Sequence, residues 1–597
     1  MNELQNENCL INTLKRLRTS SKEAVENIDS FSNFKEYMHV ERPVQHEFWN
    51  LIKSAHNSDK PQLLLVCGSV GDGKSHLISY FKNKNPEILC DFSIHNDATE
   101  SLDPEKTSIE TLNEVLDVYS DDKLYEGHKE KLILAINLGT LTNFIDSEFG
   151  HRFTKLKEYI TKKKILHDNI EESKFEQNSY FQYINFSDYH MYSLMEEGPT
   201  SQYIKDIIGK IANKDDENPF FMSYSNNCSN CSCSYKCPIK NNYDFIGDEF
   251  VQKRIIDKLI EVMIKEKVII STRALLNFIY DILVDNCFEN LTISKLIKKI
   301  EKLPFKEYIK SLTANILFTH KDTSNILEAL ENIDPVNYRS EKMDAVIIKL
   351  NNTSNLSKIF EENLDSTDLQ YMLSSLKDET ILYEKTKTKI DKENVKEDVI
   401  KIYLRLYSFM AKDRKEIFDD EIYTEYMRYL YYWNKGSKRQ LKGLLTGVKD
   451  AIYKWNGQND EDNAINMTIG KNQGKFNTYQ KLDIVGDIAD YEEKEERELF
   501  KFITRLILKY KKSKSEETKV MVDIDYLLYN LLCKVRKGYR PNRKDKNNFI
   551  NFVDFIEKIQ RLGSQKEEVL FEQKIAGEIK KYRLYLDDYN EYCFMER

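Results

Sequence analysis

Glycine and proline are scarce, at 19 and 10 residues in a chain of 597. Few breakers leave few places where a helix must stop. No glycine at all occurs between Asp248 and Lys435, so that stretch reads as helix after helix. Long apolar runs are missing too. None approaches the roughly 20 residues that span a bilayer, and the opening MNELQNENCLINTLKRLRT lacks the apolar stretch of a secretory leader. The expectation is a cytoplasmic protein with no membrane partner. Nor is there an excess of positive charge: 89 Lys and Arg face 98 Asp and Glu, a net charge of −9. A general coat for nucleic acid would be basic, so any such contact is local or shared with a partner. Ten cysteines in a reducing compartment argue for free thiols or metal ligands and against a disulfide framework.

What is present is a large, patterned chain. Its length calls for several domains. Leu10, Leu14 and Leu17 space a helix in the first 50 residues. Pro61 then opens an apolar run, Leu63–Cys67, which reads as a buried strand. Ile88–Ile94, Lys131–Leu138 and Tyr180–Phe186 read as three more strands. Helical spacing at His76–Lys84, Thr107–Tyr119 and about Arg152–Ser173 separates them. Alternating strands and helices imply a parallel α/β sheet. Polar, charged stretches at Glu384–Glu397, Asn456–Asn463 and Lys511–Glu517 read as linkers. Ala464–Ile469 with Phe476–Ile484, and Val569–Glu572 with Lys581–Leu586, read as hairpins.

Gly68-Ser69-Val70-Gly71-Asp72-Gly73-Lys74-Ser75 fits GxxxxGK[ST], after a strand and opening a helix that continues with His76. Glycines let backbone N–H groups turn inward around a phosphate, and the helix N-terminus faces the same anion. Lys74 is then expected on the β- and γ-phosphates of ATP and Ser75 on Mg²⁺. The expected architecture is an α/β P-loop NTPase with an AAA+-like parallel sheet, followed by helical lid and C-terminal domains and mostly helical overall. Its divisions are 1–50, a helical segment; 51–265, the α/β domain; 266–395, a lid-like domain; and 396–597, a mainly helical domain with small hairpins. Asn213–Asp216 matches a guanine-reading NKxD, but it follows a helix and no DxxG precedes it, so GTP is set aside.

Hydrolysis needs a carboxylate beside the metal. No plain apolar run ending in Asp-Glu occurs. Asp97 in HNDATES is the first candidate, ahead of Glu100, with Asp188 as runner-up; each has a turn or cap as its ordinary role. Asn137, ending LILAIN, could orient water as a sensor residue. Arg273, opening a helix in STRALL, could reach the γ-phosphate, as arginines of helical lids do.

Cys228, Cys231, Cys233 and Cys237 are spaced C-x₂-C-x-C-x₃-C-P among Asn and Ser. Four thiolates can close a structural Zn²⁺ site. The run is one residue short of an iron–sulfur pattern, and four unmetallated thiols remain the third option. Lys534–Lys546, KVRKGYRPNRKDK, has the composition of a loop for phosphates and a stacked base, or of a solvated surface. Lys435–Lys442 is a smaller basic patch.

The strings LKRLRTSSKEAVENI, MHVERPVQHEFW, LLLVCGSVGDGKSHLISYF, HNDATES and TSIETLNEVL resemble the DptF family of DNA phosphorothioation-dependent restriction systems. So do NPFFMSYS, CPIKNNYDF, STRALLNFIYDIL, NIDPVNYRS and DIDYLLYNLLCKVRKGYRPN, which extend the likeness over most of the chain. The resemblance implies an ATPase subunit of a bacterial defence complex, with DptG- and DptH-like partners, that damages DNA lacking the sulfur mark. It carries Gly68, Gly73, Lys74 and Ser75 across as the nucleotide site. No nuclease motif is visible. The alternatives are a nucleotide-regulated scaffold with little turnover, and a nuclease subunit with an unrecognised site.

Overall fold

The structure is a computed structural model. It describes residues 9–26, 33–69, 71–96, 106–166, 173–353, 364, 370–386, 389–411, 417–458, 461–467, 476–488, 492–513, 519–564, 567–575 and 578–597. Val70, Asp97 and Glu100 lie outside the described residues. The chain divides into two compact units: residues 1–193 with 200–419, and 194–199 with 420–597. It is mostly helical, and no helix among the described residues is long and apolar enough to cross a membrane.

In the first unit, α1 (Leu10–Glu26) and α2 (Pro43–His56) precede a parallel sheet. The strands are β1 (Gln62–Cys67), β2 (Phe92–His95), β3 (Lys131–Ile136) and β4 (Phe181–Asn185), in the order β2-β3-β1-β4. Leu64 pairs with Ile133 on one side and Gln182 on the other, so β1 is flanked on both edges. All six β1 residues are buried, because helices cover both faces, as parallel sheets require. Leu63, Leu65 and Cys67 face α4 (Ser108–Val115) and α5 (Leu138–Ile145) in one core, with Leu134, Leu112 and Phe144. Leu64 and Val66 face α2 and α3 (Lys74–Lys84) in the other, with Phe48, Ile78 and Phe81. The strict alternation is the two-residue period of a strand. Four strands pointing one way place four C-terminal ends on one edge, where open α/β sheets bind ligands.

The boundaries differ from the sequence reading at two strands. Pro86–Leu89 forms a helical turn, and β2 starts at Phe92. Proline at the first helical position favours that turn. Lys131–Leu138 splits at Asn137, whose side chain caps α5. The segment 384–397, read as a linker, is helical wherever it is described. It has neither glycine nor proline, and an i,i+4 pair, Glu397–Lys401, supports it.

Beyond the sheet come α6 (Gln202–Ala212), α7 (Pro219–Cys228), α8 (Pro238–Ile246), α9 (Glu249–Lys265) and α10 (Thr272–Leu283). Asn242 ties them together. Its Nδ2 donates to the carbonyls of Leu283 (3.1 Å) and Ser311 (2.9 Å), and its Oδ1 accepts from Thr313 N–H (2.7 Å). Later helices add a buried ion pair, Arg405–Asp334 at 2.6 Å, with Arg405 also donating to Asn315 Oδ1 (2.6 Å).

The second unit packs α11 (Glu421–Lys435), α12 (Lys442–Lys454), α13 (Tyr526–Arg536) and α14 (Ile550–Gln560) with two antiparallel sheets. The expected hairpins are present. Ala464–Asn466 pairs with Phe476–Lys481, and Glu568–Ile575 with Glu578–Leu586.

Candidate functional site

The glycine-rich loop leaves the end of β1 at the C-terminal edge of the sheet. Gly68, Gly71 and Gly73 take φ of 151°, 89° and 92°, a region that side chains with a Cβ seldom enter. Gly71 is also close-packed, since a Cβ there would stand 2.6 Å from Ser271 Cβ. Lys74 opens α3, and its Nζ donates to the carbonyls of Gly68 and Ser69, each at 2.8 Å. The ammonium thus closes over the loop from the helix start. Ser75 is the second residue of the same helix.

Neighbouring elements hold this loop in ways its own sequence does not reveal. Asp72 Oδ2 accepts from Ser69 N–H (2.7 Å) and from Ser187 Oγ (2.7 Å), just past β4, and Ser69 N–H also reaches Ser187 (3.1 Å). Arg42, at the start of α2, donates from Nη1 to Asp72 O (2.7 Å) and from Nη2 to Tyr189 O (3.1 Å). Its guanidinium lies 5.3 Å from the Tyr203 ring, and Tyr203 OH meets Thr272 Oγ1 at 2.8 Å. Thr272 is the first residue of α10, and Ser271 caps it. The loop is therefore tied through Arg42 and Tyr203 to the helix that carries Arg273. None of Arg42, Ser187 and Tyr203 was legible as a site residue, because each reaches the loop from a distant segment.

His76 Nε2 lies 3.0 Å from His39 Nδ1, and His39 stacks on Tyr80 at 3.9 Å. Burial, then the neighbouring charges of His39, Lys35 and Arg42, push His76 down to about 3, so it is neutral at ordinary pH. Cys67, under the loop, is pushed up to about 12, mainly by burial.

Asn137 follows β3, the strand beside β1, and its Oδ1 accepts from Thr140 N–H (2.7 Å), a helix cap. Its side-chain oxygen is thus engaged in capping α5. Asp188 follows β4 on the other side of β1, and its Oδ1 accepts from Asn185 Nδ2 (2.7 Å). Its charge reaches Cys67, as does that of Lys74. The strand that Asp97 follows, β2, is the outer one, with β3 between it and β1. Asn213, at the start of the NKxD match, ends α6 as its C-terminal cap.

The cysteine run lies between α7 and α8: Cys228 is the last residue of α7 and Cys237 precedes Pro238 of α8. Cys231 Sγ stands 3.5 Å from Cys233 Sγ. A hydrogen bond with Cys233 lowers Cys231 to about 6 and also lowers Cys237, while the same bonds raise Cys233; burial raises Cys228. A fifth thiol joins them. Cys9, just before α1, lies within electrostatic reach of Cys231 and Cys237, as it does of Cys228. Among the described residues, no group of three or more His, Cys, Asp or Glu side chains is arranged as a metal site. The thiols are instead hydrogen-bonded to one another. Their chemistry nonetheless suits zinc. Tetrahedral bonds of about 2.3 Å put sulfurs about 3.8 Å apart, close to the observed 3.5 Å.

In the second unit, Lys534–Lys546 is the end of α13, a turn at Gly538 (φ 102°) and a short helix from Arg543. Tyr539 OH donates to Asp545 Oδ2 (2.7 Å), and Arg536 lies 3.8 Å from Asp450 on α12. Lys537, Arg540, Arg543 and Lys544 are exposed. In the smaller patch, Gly436 ends α11 in the left-handed conformation. No protein-family model matches the chain, and no curated protein does.

Proposed function

We propose that the first unit binds ATP at Gly68–Ser75 and that the protein is an ATP-hydrolysing subunit of a DNA phosphorothioation-dependent restriction complex. The nucleotide part rests on one observation: a glycine loop with three positive-φ residues joins a fully buried central strand to a helix, and Lys74 stands at that helix's N-terminus. That is a cradle for phosphates with a cation at its mouth. Lys74 would turn from the loop carbonyls to the β- and γ-phosphates, and the Ser75 hydroxyl would hold the magnesium that accompanies ATP. The restriction role and its DptG- and DptH-like partners rest on the DptF-like strings alone.

The second reading, a nucleotide-regulated scaffold with little turnover, is favoured by Asn137 and Asp188. Asn137 Oδ1 and Asp188 Oδ1 each already accept a hydrogen bond from the protein. The cysteine run is assigned to structural zinc, supported by four thiols within ten residues and by the 3.5 Å between Cys231 Sγ and Cys233 Sγ. Calorimetric titration of the full chain with ATP, beside Lys74→Ala, tests the nucleotide reading. The variant should stay folded and lose ATP binding by at least about a hundredfold, the weight of a charge-assisted phosphate contact. Undiminished affinity removes the reading.

A further inference from the structure

The larger sheet of the second unit has two edges, and only one is closed. Its strands run in the order Tyr592–Glu596, Glu578–Leu586, Glu568–Ile575, Phe476–Lys481, Ala464–Asn466. At the Ala464–Asn466 edge, Asn456 Nδ2 (2.9 Å) and Gln560 Nε2 (3.4 Å) donate to Asn466 O, and Ala464 and Ile465 are buried. At the Tyr592–Glu596 edge, no described residue bonds to the outer side of the strand. The direction of its free groups follows from the ladder. Arg597 N–H donates to Lys581 O (2.8 Å) and Asp587 N–H to Glu591 O (3.0 Å). Odd-numbered residues therefore bond inward, and the N–H and C=O of Tyr592, Phe594 and Glu596 point outward. Tyr592 is 71% exposed and Phe594 61%.

A free edge is a template for another strand, and monomeric proteins blunt such edges with proline, a bulge or a charge in mid-strand. Residues 592–595, Tyr-Cys-Phe-Met, have neither proline nor charge, and their register with the neighbouring strand is unbroken. The charges at the two ends say what fits. Asp587, Asp588 and Glu591 stand at the start of the strand. At its end two cations, Lys581 and Arg597, share one carboxylate, Glu461. A second copy, turned end for end, brings its acidic start to this basic end. Centred on Phe594, all three outward residues find partners: Phe594 meets its twin, Tyr592 meets Glu596 of the second copy, and Glu591 meets Arg597 of the second copy.

We propose that two copies of this chain join along Tyr592–Glu596 as an antiparallel pair centred on Phe594. The two sheets become one, with about six new main-chain hydrogen bonds. The contact is the same patch on both copies. Because the far edge of each sheet is closed, growth stops at two. The pairing concerns the second unit and is independent of the nucleotide reading.

The test uses the full chain. Sedimentation equilibrium over a concentration series should show a monomer–dimer equilibrium in the parent. Phe594→Pro removes an outward N–H and leaves the inner ladder intact. It should weaken the dimer at least about thirtyfold, two hydrogen bonds in a symmetric pair. Phe594→Ala loses the same ring but keeps the N–H, and should weaken the dimer no more than about fivefold. A cross-link reads the register. Phe594→Cys, with Cys593→Ser beside it, sets two thiols on Cα atoms about 5.5 Å apart, within disulfide reach. In the same Cys593→Ser background, oxidised glutathione should join Phe594→Cys to itself, and Tyr592→Cys to Glu596→Cys in a mixture. It should not join Tyr592→Cys to itself, since those residues stand about 14 Å apart along the pair. Peptide mapping separates these links from any through the exposed Cys90 and Cys287. A parent that is monomeric at every concentration overturns the proposal, as does a dimer that Phe594→Pro leaves intact, or a self-link through Tyr592→Cys. Protection of this edge from hydrogen exchange only in the presence of another protein gives the edge to a strand of that protein, and overturns it too.

Discussion

Arg42 offers the sharpest check on how the phosphate loop is held. Replacing it with alanine removes two charge-assisted hydrogen bonds, to Asp72 O at 2.7 Å and Tyr189 O at 3.1 Å, and the contact with Tyr203 at 5.3 Å. A hydrogen bond involving a charged group contributes about 1.5–3 kcal/mol. Arg42 is half-buried, and water can replace part of what is lost, so a net of about 1.5–3 kcal/mol for the pair is a reasonable figure. If the loop holds ATP as proposed, it does so through its backbone, so the loss should appear in ATP affinity. At 1.4 kcal/mol per decade, Arg42→Ala should weaken ATP by about tenfold or more. Arg42→Lys keeps the charge but not the fork that spans two carbonyls, and should fall between, at about threefold. Glu41→Ala, an exposed neighbour, should do nothing. Calorimetric titration at fixed salt reads all three. Equal affinity in Arg42→Ala and the parent would mean that the loop keeps its shape unaided, and the argument would fail.

Asp188→Asn should retain ATP and lose turnover if Asp188 serves the metal; normal turnover there, with loss in Asp97→Asn, assigns the role to Asp97. Replacing Lys537, Arg540, Arg543 and Lys544 with alanine should flatten the salt dependence of duplex binding by roughly 0.9 per lost phosphate contact, and an unchanged slope makes the segment a solvated surface. Asp285 is held at about 2: burial opposes ionisation, but His320, 3.0 Å away, and the Cys287 N–H outweigh it. Since its folded value lies below the ordinary 3.8, its contribution to stability is whole above about pH 4 and is lost as pH falls towards 2. Chemical denaturation across that window should show a shallower acid loss in Asp285→Asn, and identical profiles would refute it.

How much of this was legible depended on whether the signal was local. The β1 strand, the loop and α3 follow one another within 23 residues, Gln62–Lys84, and each carries its own mark: a solid apolar run, glycines, then helical spacing. The two hairpins were legible for the same reason. Polarity alone does not separate residues 384–397 from a linker; without glycine or proline, and with i,i+4 pairs such as Glu397–Lys401, a polar stretch can be a solvated helix. Ile88–Ile94 misled because an apolar stretch of that length suits a helical turn as well as a strand, and Pro86 settles it. Arg42, Ser187 and Tyr203 carry no motif, and only the folded sheet and helices bring them to the loop. Cys9 belongs to the cysteine cluster by proximity, which linear spacing cannot express.

Arg18 of α1 holds Asp281 (2.5 Å) and Glu289 (2.6 Å), and this clamp has a practical side. Asp281 is almost wholly enclosed, its side chain 5% exposed, and Arg18 is the cation that meets it. A shortened protein starting after residue 18 would leave that carboxylate inside α10 with its counter-charge gone, which typically costs about 3–5 kcal/mol. Because α10 begins beside the phosphate loop, the damage would register as poor ATP binding even though every residue from Gly68 to Ser75 was intact. A tag or fusion is therefore safer ahead of Cys9 than in place of α1, and a trimmed N-terminus would imitate a broken nucleotide site.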